Sequence, residues 1–184
     1  MLSIIPLTIG TMLWMNYAVE LLELDNNLEY LFSRMSNNIF GIISIAIIAP
    51  VLEEMFFRGA IEGHLLKIWK NPIYAIVVSA AIFGIIHGNP VQIPFAMGHG
   101  LLLGWLFYKT GSLLPGIFLH FINNTTSTVL SLILPESANS MEMVFGRTNS
   151  IILSIIGLIF TILFIIIINR MTRRTQLMSE NAQN

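Results

Sequence analysis

Three ionisable side chains interrupt an apolar stretch in the first third of the chain. Glu53, Glu54 and Arg58 follow an uncharged run over residues 35–52. A charge at the centre of a membrane helix costs about 2.5–3.5 kcal/mol on insertion scales, so such charges usually have a function. Glu54 and Arg58 are spaced i, i+4 on one helix face, where they can neutralise each other. Glu53 lies about 100° further round the helix, which leaves it unpaired and makes it the candidate general base.

Pro50 stands three residues before Glu53. Proline inside a helix lacks a hydrogen-bond donor, so we expect a kink that frees a carbonyl group or admits water close to the acids. A simpler alternative places Glu53, Glu54 and Arg58 among the lipid headgroups, at the cytoplasmic end of a shorter helix.

Two further apolar segments carry polar residues of the types that hydrolysis needs. Phe83 and His87 are spaced i, i+4 near the end of one segment, and His120 and Asn124 share this spacing in another. Peptide hydrolysis requires an activated water and donors for the developing oxyanion. Glu53 with His87 would activate the water, and His120 with Asn124 would donate to the oxyanion.

The same side chains leave other interpretations open. Glu53, His87 and His120 are a donor set of the type that holds a divalent metal such as zinc, although no HExxH motif is present. Paired polar residues also join membrane helices by hydrogen bonds, and buried Glu and His residues can line an ion pathway. No internal repeat of the transporter type supports that last alternative. His99 is expected to be a supporting or pore-facing residue.

Six apolar segments are long enough to position these residues in a membrane. The chain is 55% hydrophobic and 10% charged, whereas soluble domains carry about 25% charged residues. A hydrocarbon core of about 30 Å needs about 20 apolar residues per helix. We therefore predict an all-α, polytopic membrane helical bundle with about six transmembrane helices, at residues 2–22, 38–62, 72–89, 92–109, 112–134 and 149–169.

Loop charges predict the orientation of this bundle. Lys67 and Lys70, then Lys109, then the arginines of the tail fall in alternate loops, and positive loops stay cytoplasmic, so both termini are inside. Short connections favour one domain over residues 1–174, in which the third, fourth and fifth helices are antiparallel neighbours, followed by a polar disordered tail at 175–184. A net charge of −1 without a strongly basic run gives no sign of a nucleic-acid partner. The lack of cysteine excludes disulfides and thiolate chemistry.

Three short motifs occur in order on separate segments. They are EExxxR at residues 53–58, FxxxH at 83–87 and HxxxN at 120–124, within a motif core at 50–125. Together they resemble the CPBP family of CAAX proteases and bacteriocin-processing proteins, also called Abi. The resemblance implies a CAAX prenyl protease-like intramembrane endopeptidase, of metalloprotease or glutamate type, in a bacterial plasma membrane. Its substrate would be a peptide or a membrane-anchored protein that it meets at the lipid bilayer.

The resemblance also implies roles for the motif residues. Glu53 and His87 would activate water, His120 and Asn124 would stabilise the oxyanion, and Glu54, Arg58 and Phe83 would shape the site. A metal form would carry a divalent cation such as zinc, and a glutamate form would need no cofactor. Many relatives have more helices before the EExxxR segment. The alternative function is a non-catalytic bacteriocin self-immunity or membrane interaction protein with the same fold, and the oligomeric state is left open.

Depths counted from the predicted cytoplasmic helix ends do not agree. Glu53 lies about 15 Å from its end and His87 about 22 Å from its own, at about 1.5 Å per residue. We expect helix tilt, or a later start of the third helix, to close this difference.

Overall fold

A computed structural model gives the fold of the chain. It describes residues 2–135, 138 and 140–183, with side chains described no further than Thr172. Within these residues there is no β-strand, which confirms the all-α prediction. Eight helices occur in the described residues: α1 (Ile4–Glu20), α2 (Glu29–Ser36), α3 (Ile39–Ile68), α4 (Pro72–Ile85), α5 (Gln92–Thr110), α6 (Leu114–Ile133), α7 (Met141–Phe145) and α8 (Arg147–Gln183).

Six of these helices, all but α2 and α7, coincide with the six predicted apolar segments. Two stretches, Ile39–Ile68 and Arg147–Thr172, are long and apolar enough to cross a membrane by length and composition. Pro72–Ile85 is apolar but shorter. The number of spans and the orientation with both termini inside stay predictions. The disordered tail at 175–184 also stays a prediction. The backbone of α8 is helical to Gln183, and its side chains beyond Thr172 lie outside the described residues.

Helix α3 contains two segments with π-helical hydrogen bonding, Ser44–Ile48 and Met55–Glu62. In the first, the Ala49 N–H donates to the Ser44 carbonyl. In the same register the next carbonyl, that of Ile45, would need an N–H from residue 50, which is proline and has none. This agrees with the prediction that Pro50 frees a carbonyl group. Single turns of π-helix are frequent at functional sites.

Helices α4, α5 and α6 pack in sequence, α4 on α5 and α5 on α6, as their short connections predict. Asn71 caps α4 through its side-chain oxygen, which accepts from Ile73 N at 2.9 Å. Gly88 follows α4 with φ +64°, a left-handed conformation that suits glycine and ends the helix. Asn71 and Gly88 therefore mark the two ends of α4.

Helices α1 and α8 form the closest pair of the fold. A Cβ added at Gly10 would lie 2.8 Å from the Gly157 carbonyl oxygen, and one at Gly157 would lie 2.7 Å from that of Gly10. Two small residues therefore let the backbones touch, as is common between membrane helices. The hydroxyl groups of Thr11 and Thr161 lie 3.4 Å apart in the same contact. This pair joins the two ends of the chain across the bundle.

Two groups of buried apolar residues support the rest. The larger one joins α1, α5, α6 and α8 through Ile4, Leu7, Leu102, Leu103, Leu106, Leu119 and Ile168. The smaller one joins α3, α4 and α5 through Phe57, Phe83 and Ala96. The predicted site residues lie next to this smaller group.

Candidate active site

Glu54, Arg58 and His120 form a hydrogen-bonded group inside the bundle. Glu54 and Arg58 are 1% and 0% exposed, and His120 is 4% exposed. Arg58 Nη1 donates to Glu54 Oε1 at 2.9 Å, and its Nη2 donates to the Gly100 carbonyl of α5 at 3.1 Å. The i, i+4 pairing predicted for Glu54 and Arg58 is therefore confirmed. His120 Nδ1 lies 3.0 Å from the same Glu54 oxygen, which connects α6 to α3.

Glu53 is placed differently from its neighbour. Its side chain is 31% exposed, and Oε2 is buried without a hydrogen-bond partner among the described residues. The nearest basic atom is Nε2 of His120, at 3.7 Å. His120 thus stands between the two acids, bonded to Glu54 through one nitrogen and facing Glu53 with the other. Because Glu53 is not committed to a cation, its carboxylate can accept a proton.

Phe83 brings the predicted residues of three helices together. Its ring is 1% exposed and lies 4.9 Å from the His87 ring and 5.8 Å from the His120 ring, measured between centroids. The Arg58 guanidinium carbon stands 4.5 Å from the centre of the same ring. Such an arrangement adds a cation–π attraction that is stronger away from water. Phe83 therefore packs against His87, His120 and Arg58, and its supporting role in the site stays a prediction.

His87 lies in the turn just after α4 and keeps a helical contact. Its Nδ1 is 2.7 Å from the Phe83 carbonyl oxygen, so the other ring nitrogen, Nε2, is the one that can serve a ligand. In the part of the chain that is described, no hydrogen bond joins His87 to Glu53. Their depths agree, because α3 runs on to Ile68 rather than ending at residue 62. Counted from Ile68 and from Pro72, Glu53 and His87 each lie about 22 Å along their helices at about 1.5 Å per residue.

Asn124 binds the backbone carbonyl that lacks a helical donor because residue 50 is proline. Its Nδ2 donates to the Ile45 carbonyl at 3.0 Å, and its Oδ1 accepts from Asn123 Nδ2 at 3.1 Å. Asn123, which helix spacing places on another face, is itself buried. An amide nitrogen carries two hydrogens, so one N–H of Asn124 is still available for a ligand. Asn124 thus connects α6 to α3 as well as standing one turn from His120.

Two further buried ionisable residues lie beside this group. His99 is 2% exposed, its two ring nitrogens have no hydrogen-bond partner among the described residues, and its ring lies 5.4 Å from that of His120. This agrees with the supporting position expected for it. Glu62 is fully buried on α3, and the sequence analysis missed it. Its spacing of four residues from Arg58 was the available signal.

A metal ion was one of the possibilities left open by the sequence. Within the described residues no three His, Cys, Asp or Glu side chains are arranged so that they could hold one. Glu53 Oε2 and His120 Nε2 approach to 3.7 Å, and His87 Nε2 is not engaged by the Phe83 carbonyl, but the three side chains do not converge on one point among the described residues. The set Glu53, His87 and His120 does not fit a metal centre as it is placed here, so we derive no step through a metal.

The fold and the site define a class: a helical membrane protein with an acid, arginine and histidine group buried between its helices. The sequence model of the type II CAAX prenyl endopeptidase Rce1-like family matches residues 35–126, half of the chain. The chain belongs to this family. The matched region contains all three motifs, and it confirms the resemblance to CAAX proteases.

Individual relatives agree with this family. The chain is 29% identical over 110 residues to "Putative membrane peptidase YdiL" of Bacillus subtilis, which covers 57% of the chain and 45% of that protein. It is 32% identical over 101 residues to the membrane-embedded CAAX protease MroQ of Staphylococcus aureus, covering 52% of the chain and 41% of MroQ. The matches thus span less than half the length of these relatives. No solved structure matches the chain significantly.

Proposed function

We propose that this protein is an intramembrane endopeptidase of the glutamate type, with Glu53 as its general base. One observation supports this above all: Glu53 Oε2 is buried without a partner and lies 3.7 Å from His120 Nε2, whereas the adjacent Glu54 is committed to Arg58 and His120. Two neighbouring carboxylates in different surroundings can take different roles, one reactive and one positioning.

In this proposal Glu53 removes a proton from a water molecule whose oxygen attacks the carbonyl carbon of the scissile peptide bond. The Nε2 of His87 helps to hold that water, because Nδ1 is already engaged by the Phe83 carbonyl. The resulting oxyanion accepts hydrogen bonds from His120 Nε2–H and from the remaining N–H of Asn124. Glu53 then returns the proton to the leaving nitrogen as the C–N bond breaks.

Glu54 supports His120 as a hydrogen-bond donor to the oxyanion. If Nδ1–H of His120 donates to Glu54, a proton on Nε2 produces an imidazolium whose charge Glu54 balances at 3.0 Å. An acid that orients a histidine and stabilises its cation is a recurring arrangement in hydrolases. Arg58 fixes Glu54 in turn, through the same carboxyl oxygen, Oε1, that His120 contacts.

The substrate proposed for this site is a peptide or a membrane-anchored protein. MroQ is named as a membrane-embedded CAAX protease, and the buried position of the site favours a substrate that enters from the bilayer. We place the protein as a multi-pass protein in a bacterial plasma membrane, and nothing in its charge favours a nucleic acid.

The proposal is tested with the protein in proteoliposomes and a library of lipidated and unmodified peptides, whose cleavage is followed by mass spectrometry. Glu53→Gln keeps the shape of the side chain and removes the base, so cleavage is expected to fall by at least about 100-fold. Glu29→Gln, an exposed acid on α2, is the matched control and keeps full activity.

Two outcomes would contradict the proposal. Protection of cells from a bacteriocin that is equal for the wild type and Glu53→Gln, without peptide cleavage by either, would favour the non-catalytic immunity function. Stoichiometric zinc in purified active protein, with activity lost on chelation and restored by zinc, would replace the glutamate mechanism by the metal one.

A further inference from the structure

Glu62 is a fully buried acid outside the three motifs. It lies on α3 four residues after Arg58, as Glu54 lies four residues before it, so the two acids flank the cation along the helix. Its exposure is 0%, and neither carboxyl oxygen has a hydrogen-bond partner among the described residues. Glu62 and Arg58 are spaced i, i+4 on α3 and both are fully buried, so their opposite charges lie near one face of the helix.

The neighbouring helices leave space for this carboxyl group. Glu62 Oε2 lies 2.5 Å from the position that a Cβ on Gly104 of α5 would occupy, and a methyl group of Ile76 on α4 is 3.1 Å from the same position. Any side chain at Gly104 would therefore displace Glu62. Glycine at this place on α5 allows the acid to lie between three helices.

The burial of Glu62 costs free energy of folding, which a purely structural role does not explain. An acid without a partner in an apolar interior is costly. Replacing buried ionic groups by apolar residues of similar size is often neutral or stabilising. Arg58 has Glu54 on Nη1 and the Gly100 carbonyl on Nη2, while its Nε has no partner in the described structure. The negative charge of Glu62 can add to these two bonds and restrict the position of the Arg58 guanidinium.

We infer that Glu62 is a positioning residue, which holds Arg58 against Glu54 and thereby fixes the Glu54 and His120 contact beside Glu53. This inference rests on the endopeptidase function proposed above. Glu62 acts on Arg58 through its charge, without a hydrogen bond, and hydrogen bonds continue from Arg58 through Glu54 to His120. Glu62 does not touch the substrate in this arrangement.

Glu62→Leu and Glu62→Gln separate positioning from simple packing. Leu fills the space without a polar group, and we expect kcat to fall by at least about tenfold with KM unchanged, since small displacements in a site are costly. Thermal stability is expected to stay equal or rise, because Arg58 keeps its bond to Glu54 while a buried acid without a hydrogen-bond partner is removed. Gln keeps the shape but not the charge, so we expect it to lower kcat as Leu does, whereas a role in packing alone would leave its activity unchanged. Unchanged kcat in a stable Glu62→Leu protein would overturn the inference.

Gly104→Ala tests the same contact from α5. In the wild type its methyl group must displace Glu62 and lower kcat, whereas in a Glu62→Ala background it should have little further effect, because the two sites are coupled. Gly98→Ala is the control on the same helix, where a Cβ would meet only the flexible end of Met15. Equal losses from Gly104→Ala in both backgrounds would contradict a role for Glu62.

A spectroscopic measurement tests the inference without any cleavage. The chain has four histidines, so 15N-histidine NMR in detergent can be assigned with single His variants. Glu62→Leu is expected to shift the Nδ1 resonance of His120, because the bond to Glu54 loosens, while Gly98→Ala leaves it in place. An unchanged resonance would overturn the positioning role whether or not the protein cleaves peptides. A shifted resonance in a protein without activity would support the inference and contradict the proposed function.

Discussion

Arg58 and Glu54 form a buried ion pair, in which each charge is neutralised by the other. Arg58→Met keeps much of the volume but leaves the buried Glu54 with only His120, and breaking a buried pair costs about 3–5 kcal/mol. We expect the free energy of unfolding in detergent to fall by that order. Glu54→Gln together with Arg58→Met removes the charges of this pair and should recover part of the loss, because the buried Glu62 stays without its cation. A double variant no more stable than Arg58→Met alone would show that the pair does not determine stability.

Side-chain pairing within one helix could be predicted from the sequence, whereas contacts between helices could not. Glu54 and Arg58 pair because their spacing alone places them on one face. The approach of His120 to Glu53 and Glu54 depends on how α6 packs on α3, which no local pattern encodes. Glu62 follows the same spacing rule from Arg58, but the EExxxR motif ends before it. Spacing, applied past the motif, would have found it.

In helix α3, too, the effect of a residue on its own helix could be predicted, whereas its contact with another helix could not. Pro50 predicts a freed carbonyl because proline has no N–H. The sequence does not say that the free group is that of Ile45, nor that Asn124 fills it, since the two residues are 79 positions apart. Asn124 was predicted as an oxyanion donor, a role that stays a prediction, or as a residue that joins helices by hydrogen bonds, and its contact with α3 is of the second kind.

Pro50 and Asn124 are therefore expected to be energetically coupled. Asn124→Leu removes the donor to the Ile45 carbonyl, and the loss of a hydrogen bond between membrane helices costs on average about 0.6 kcal/mol and up to about 1.7 kcal/mol. Pro50→Ala supplies a backbone N–H that can satisfy this carbonyl within α3. In the Pro50→Ala background, Asn124→Leu should then cost less. Additive free energies of unfolding in a double-mutant cycle would contradict this coupling.

The boundaries of the long helices along the chain could largely be predicted from hydropathy and from helix-breaking residues. Asn71 and Pro72 begin α4 and Gly88 follows it, and short loops make α4, α5 and α6 neighbours. The pairing of α1 with α8 was not predicted, because Thr11 and Thr161 meet from positions 150 residues apart. Contacts between chain ends depend on closure of the whole bundle, which local sequence patterns do not report.

The orientation of the bundle can be measured directly because the chain has no cysteine. Single cysteines at exposed positions, Lys70→Cys after α3, Glu29→Cys in α2 and Thr148→Cys at the start of α8, need no other change. Positive loops stay cytoplasmic, so a membrane-impermeant maleimide on intact cells should label the cysteines at 29 and 148 and spare that at 70. Permeabilised cells should show labelling of all three, and the parent chain of none. Labelling at 70 in intact cells would reverse the orientation, and equal labelling at all three positions would contradict a spanning α3.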